Sequence, residues 1–249
     1  MCEWKGQQGM RSVSDLKIKI FADGADLQGM LEIYREPYIR GFTTNPTLMR
    51  KAGISDYQAF ARKVLAAIPD RPISFEVFAD EFSQMESQAL EIASWGKNVN
   101  VKIPVMNTEG SSSAELVASL SRKGVVCNVT AMFTVRQVEE ICHALDPGTP
   151  AILSVFAGRI ADTGVDPVPL VSRAVQIAGR SRPQVEVLWA SPRELLNIFQ
   201  ADQIGCHIIT VTNDVLKKLD VVGKDLTEFS KETVQMFYRD ACAGGYSIA

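Results

Sequence analysis

The run Val99-Asn100-Val101-Lys102-Ile103-Pro104 alternates between apolar and polar side chains. In an extended strand this puts Asn100 and Lys102 on one face and Val99, Val101 and Ile103 on the other. A lysine on the inner face of a buried strand loses its water: burial disfavours the ammonium and leaves a free amine able to attack a carbonyl, the chemistry of a Schiff-base lysine. Two other readings of Lys102 stand beside it. The amine could be a structural partner of a carboxylate, or the register could be shifted by one residue so that the side chain reaches outward.

Other short apolar runs carry polar residues at or near their carboxyl ends: Asp23 after Phe21-Ala22, Asn45 after Thr43-Thr44, Glu76 after Phe75, Asn128 and Thr130 in Cys127–Thr130, and Ser154 after Leu153. Taken singly, each could be a satisfied core group or the cap of the next helix. Taken together, they would surround the Lys102 amine with two carboxylates and several hydroxyl and amide groups. An imine at a ketose carbonyl is an electron sink, so a base that removes a nearby hydroxyl proton breaks the adjacent carbon–carbon bond; Asp23 is the candidate base. Glu76 with Thr130 could deliver protons through water, and Asn45, Asn128 and Ser154 could hold substrate hydroxyls. Two later runs end in Phe156-Ala157-Gly158-Arg159 and Ala190-Ser191-Pro192-Arg193. Guanidinium forks match phosphate oxygens and Ser191 adds a donor, which predicts a phosphorylated substrate. The alternative pairs Arg159 with Asp162 and Arg193 with Glu194 on a solvated rim.

The elements that must position these residues are legible as about eight strand-like runs: Ile18–Asp23, Ile39–Thr44, Ile73–Phe78, Val99–Ile103, Val125–Thr130, Ala151–Phe156, Val185–Ala190 and His207–Thr212. Segments of helical spacing lie between them, such as Phe82, Met85, Ala89, Ile92 and Ala93, or Val135, Val138, Ile141, Cys142 and Leu145. Ser55-Asp56 and Ser111–Ser113 read as helix starts, and Asp146-Pro147-Gly148 as a stop. Regular alternation with short connections implies parallel strands and right-handed crossovers. Eight such units without a GxGxxG after the first strand predict an α/β fold, a single-domain (β/α)8 TIM barrel with a C-terminal helix. Residues 1–16 form an N-terminal extension, and 17–249 the barrel with a terminal helix over Asp225–Arg239.

Composition narrows the function classes. With 26 basic and 29 acidic residues and a net charge of -3, there is no dense basic run of the kind that grips nucleic acid or anionic lipid. No apolar stretch approaches the roughly 20 residues of a membrane helix, and 1–16 is too polar for a secretory signal, so a cytoplasmic protein is expected. Five scattered cysteines never spaced as CxxC, and two histidines, His143 and His207, without neighbouring ligands, indicate neither a disulfide framework nor a metal site.

At these residues the chain resembles the transaldolase family, Schiff-base enzymes built on a (β/α)8 barrel. The likeness runs from about Phe21 to about Leu219 through Gly41-Phe42-Thr43-Thr44-Asn45-Pro46-Thr47-Leu48, Val101-Lys102-Ile103-Pro104, Cys127-Asn128-Val129-Thr130, Phe156-Ala157-Gly158-Arg159-Ile160 and Ala190-Ser191-Pro192-Arg193. Thr-Thr-Asn-Pro with Val-Lys-Ile-Pro is the most specific pair. The resemblance implies an imine on Lys102, Asp23 acting at the C4 hydroxyl, and a water held by Glu76 and Thr130. It assigns Arg159, Ser191 and Arg193 to phosphate, Asn45, Asn128 and Ser154 to the dihydroxyacetone moiety, and Phe156 to the substrate pocket. It implies sugar-phosphate substrates, no cofactor and a homo-oligomer assembled through the terminal helix. Fructose-6-phosphate aldolases of the same family typically carry glutamine in place of Glu76 and tyrosine in place of Phe156, so a transaldolase is expected, with an aldolase that releases free dihydroxyacetone, or a relative acting on an unusual sugar in a specialised pathway, as the alternatives. A catalytically silent barrel that binds sugar phosphates is the reading from a different class. Trp189 belongs to none of these patterns.

Overall fold

A computed structural model describes residues 13–181, 184–246 and 248. The expected extension, 1–16, lies largely outside the described residues. Strand and helix alternate from β1 (Lys19–Asp23), α1 (Leu27–Tyr34), β2 (Ile39–Thr43), α2 (Pro46–Lys51), α3 (Tyr57–Ala67) and β3 (Ile73–Glu76) to α4 (Phe82–Ser94) and β4 (Val99–Pro104). They continue with α5 (Ala114–Arg122), β5 (Cys127–Met132), α6 (Val135–Ala144), β6 (Ala151–Val155), α7 (Ala157–Ala161) and α8 (Val168–Ser181). β7 (Val185–Trp189), α9 (Leu196–Gln203), β8 (Ile208–Thr212), α10 (Asn213–Leu216) and α11 (Leu226–Gly244) complete the order. Among the described residues the strands pair in parallel, each with the next and β8 with β1, into a closed eight-stranded barrel. The described residues fall into two compact units: Lys17–Lys217, which holds the whole barrel, and a second one to which 13–16 and 218–246 belong.

Each strand turns one of its two faces inward, where Phe21, Ile152, Leu188, Ala190 and Ile208 form a buried apolar cluster. Phe21 fills its place because position 41 on the neighbouring strand is glycine: a Cβ there would stand 2.5 Å from the Phe21 ring. Most of the other inward positions are polar, and they include Asp23, Glu76, Lys102, Asn128 and Ser154.

Local chemistry explains the helix starts. Asp56 caps α3 by accepting from Ala59 N at 2.9 Å, and Thr134 with Gln137 forms a reciprocal capping box on α6. The expected start at Ser111–Ser113 differs in detail. Ser113 occupies the N-cap position of α5 with φ −85° and ψ 9°, outside the extended region that aims a capping hydroxyl at the first turn. Its buried hydroxyl has no hydrogen-bond partner, and Ser112 accepts from Ala114 N instead. In the second unit, α11 is capped by Asp225 and closed by Gly245 in the left-handed conformation (φ 64°). No helix among the described residues is long and apolar enough to cross a membrane.

Candidate active site

A cavity of about 640 Å³ opens among Asp23, Asn45, Glu76, Lys102, Asn128, Thr130, Ser154, Phe156, Arg159, Ser191 and Arg193, so every expected site residue lines one space. Its size falls within the roughly 300–1,000 Å³ of small-molecule sites. The period of two accounts for the convergence: Asp23, Thr43, Glu76, Lys102, Asn128, Ser154, Leu188 and Thr210 occupy inward positions of the eight strands.

Lys102 is 7 % exposed, and its register partners are Glu76 on β3 and Asn128 on β5. Its Nζ donates to Glu76 Oε2 at 2.9 Å and to the Thr44 carbonyl at 2.8 Å. The pair with a carboxylate is therefore real, but it sits on a cavity wall, so pairing and access to a ligand coexist. The outward register is not observed.

Asp23 sits at the end of β1. Its Oδ1 accepts from Thr43 Oγ1 at 2.8 Å and its Oδ2 from Asn45 Nδ2 at 3.3 Å. Burial pushes its carboxyl above the usual range, against the lowering effect of the Lys102 charge and of the Thr43 and Asn45 hydrogen bonds. Asn45 holds this position because it is also a cap. With Pro46 at the first helical position, Asn45 Oδ1 accepts from Leu48 N at 2.9 Å, which leaves the amide nitrogen turned toward Asp23. The capping and site readings of Asn45 are one arrangement.

On the far side, Ser154 Oγ donates to Asn128 Oδ1 at 2.6 Å and Asn128 Nδ2 donates to Ser74 Oγ at 3.1 Å, a buried polar chain across β3, β5 and β6. Thr130 Oγ1 is buried without a protein partner. The next residue, Ala131, has φ 60°, and the β5–β6 register slips between Val129 and Met132. This bulge lets consecutive residues, Thr130 and Ala131, face the cavity. Ser191, with φ 61°, does the same after Ala190. Such conformations cost non-glycine residues roughly 1 kcal/mol or more and concentrate at functional sites.

The two arginines differ. Arg159 is exposed, with its guanidinium 5.9 Å from the centre of the Phe156 ring. Arg193 does not pair with Glu194 as the rim alternative expected. Adjacent residues seldom face each other, and its partner comes from the preceding βα connection. Nε donates to Asp162 Oδ1 at 2.9 Å, a second nitrogen donates to Asp162 Oδ2, and a third donates to Ser191 Oγ at 3.0 Å. Arg193 holds the Asp162 carboxyl below its usual range. Gly158 permits this junction, since a Cβ there would overlap the Ser191 carbonyl oxygen at 1.5 Å.

Thr43, Thr210 and Ser74 complete the polar shell and had no place in the sequence reading. Thr43 and Thr210 share a hydrogen bond beneath Asp23. Thr43 could have been found by extending the two-residue period back from Asn45, whereas Thr210 lies on β8, where no site residue was expected. Tyr57, on α3, hydrogen-bonds the Glu76 backbone, and nothing in its sequence context marks it.

The chain as a whole is similar to known proteins. The transaldolase/fructose-6-phosphate aldolase family matches residues 20–244. A probable transaldolase of Dehalococcoides mccartyi is 37% identical over 202 residues, covering 81% of this chain and 90% of that protein. Probable transaldolases of Methanococcus maripaludis (33%, covering 81% and 89%) and Syntrophomonas wolfei (32%, covering 81% and 90%) are also similar to it.

Proposed function

The chain belongs to the transaldolase/fructose-6-phosphate aldolase family, and from that premise we propose that it moves a dihydroxyacetone unit from a ketose phosphate, such as sedoheptulose 7-phosphate or fructose 6-phosphate, to an aldose phosphate. The observation that carries this reading is the Lys102 amine on the wall of the cavity, with Glu76 at 2.9 Å and the Asp23 carboxyl lining the same space. Lys102 Nζ attacks the ketose C2, and loss of water, with protons moved by Glu76 and the Thr130 hydroxyl, leaves an imine. Asp23 takes the proton of the C4 hydroxyl. The C3–C4 bond breaks, its electron pair enters the iminium to give an enamine, and the aldose phosphate departs. The enamine then attacks an acceptor aldehyde, Asp23 returns the proton, and hydrolysis frees Lys102. Asn45, Asn128 and Ser154 hold the dihydroxyacetone hydroxyls, and Phe156 walls the pocket.

Glu76 and Phe156 support the transferase over the lyase. The test is free dihydroxyacetone measured from fructose 6-phosphate with and without erythrose 4-phosphate. Transfer predicts slow release alone and fast aldose turnover with the acceptor, whereas sustained release without acceptor would favour the lyase.

Arg159, Ser191 and Arg193 are assigned to the phosphate. Each guanidinium bond to an anion contributes about 1.5–3 kcal/mol, so Arg159→Ala or Arg193→Ala should raise KM for fructose 6-phosphate by about 10- to 100-fold. KM for unphosphorylated fructose should stay within about twofold. An equal rise for both sugars would refute the assignment.

This reading extends to assembly. Leu226, Val234, Phe237 and Tyr238 on α11 are exposed, which supports a homo-oligomer built on this helix. Sedimentation should give a multiple of 27.3 kDa, reduced to the monomer by Phe237→Glu. A monomeric parent protein would contradict it.

A further inference from the structure

β2 and β3 pair at only two positions, Phe42↔Ile73 and Thr43↔Ser74. Their ladder runs from Phe42 N to the Pro72 carbonyl and from Thr44 N to the Ser74 carbonyl, so the next rung would be Glu76 N–H to the Thr44 carbonyl. That rung is replaced. Glu76 N donates instead to the Tyr57 hydroxyl at 2.7 Å, which in turn donates to the Glu76 carbonyl at 3.0 Å. The Thr44 carbonyl is thereby left to accept from Lys102 Nζ at 2.8 Å. The tyrosine ring is wedged at this gap by Phe78, Trp95 and Phe75, with centroids 4.6, 5.4 and 6.1 Å away. Burial pushes its phenol far above the ordinary value, so the hydroxyl stays protonated as a donor.

We propose that Tyr57 is a positioning residue: by taking over one rung of the barrel ladder it fixes the Glu76 backbone and reserves the Thr44 carbonyl for the Lys102 amine, holding nucleophile and proton carrier in register. This rests on the roles given to Lys102 and Glu76 above. Without the hydroxyl, Glu76 N–H competes with Lys102 for the Thr44 carbonyl, and both side chains shift while the phosphate and hydroxyl contacts of the substrate remain.

In Tyr57→Phe, which keeps the ring, kcat should fall by about 10- to 100-fold, the effect of a misplacement on the order of 1 Å. KM for fructose 6-phosphate should stay within about twofold, and the rate at which borohydride traps the imine should fall with kcat. Trp95→Phe disturbs the same aromatic packing without touching Glu76, and should lower the melting temperature while leaving kcat nearly unchanged. A Tyr57→Phe enzyme with parental kcat and trapping rate, or one whose kcat loss is matched by Trp95→Phe, overturns the proposal. Absence of any adduct on Lys102 in the parent protein defeats the Schiff-base reading itself, and the proposal with it. A normal parental adduct with unchanged Tyr57→Phe kinetics defeats the tyrosine alone.

Discussion

Lys102→Met is expected to abolish turnover, lowering kcat by about 10⁴-fold or more, because it removes the amine held between Glu76 and the Thr44 carbonyl, and covalent catalysis is lost with it. The same substitution should also lower stability. The reason is the ion pair with Glu76. Methionine leaves the Glu76 carboxylate, 16 % exposed, without its cation. Stripping one partner from a fully buried pair costs about 3–5 kcal/mol, and residual solvent access brings this nearer to 1–3 kcal/mol, or several degrees in melting temperature. Adding Glu76→Gln should recover most of that stability and none of the activity. Thermal unfolding of the single and double variants, beside their turnover, checks both halves. Activity retained in Lys102→Met would remove the nucleophile from the account.

Asp23→Asn should separate imine formation from bond cleavage. The amide keeps the hydrogen-bonding shape but cannot accept the C4 hydroxyl proton, and a lost general base costs about 10²- to 10⁴-fold. Borohydride should still trap the ketose phosphate on the protein, with little aldose phosphate released. Because burial holds the Asp23 carboxyl above its ordinary value, the acid limb of kcat/KM in the parent enzyme should lie above the usual range near 3.9, and it should vanish in Asp23→Asn. Stability shifts the opposite way. A carboxyl raised in the folded state binds protons more tightly there than when unfolded, so its contribution grows as pH falls through the folded value and is complete below the unfolded one. At neutral pH, Asp23→Asn should therefore not lower the melting temperature. Unimpaired aldose release by this variant would assign the base elsewhere.

Much of this architecture could be read from the sequence because two strong physical signals coincide. Alternation within Val99–Pro104 placed Lys102 inward, and the Asn-Pro pair at 45–46 marked both the end of β2 and the cap of α2. The fifth strand was legible only in part. The apolar run suggested Val125–Thr130, whereas β5 spans Cys127–Met132, since a left-handed Ala131 in a bulge carries pairing past the point where alternation fails. The partner of Arg193 could not be read: Asp162 lies 31 positions earlier and meets it only because two βα connections adjoin at Gly158. Tyr57 was equally hidden. Its role depends on a rung missing from the ladder between β2 and β3, and a missing backbone bond leaves no trace in side-chain pattern.

Reductive trapping shows which side chain carries the imine. Incubation with fructose 6-phosphate and borohydride, followed by peptide mass analysis, should place a reduced sugar adduct on the peptide that contains Lys102 and on no other lysine. An unmodified Lys102, or an adduct on a different residue, would contradict the account.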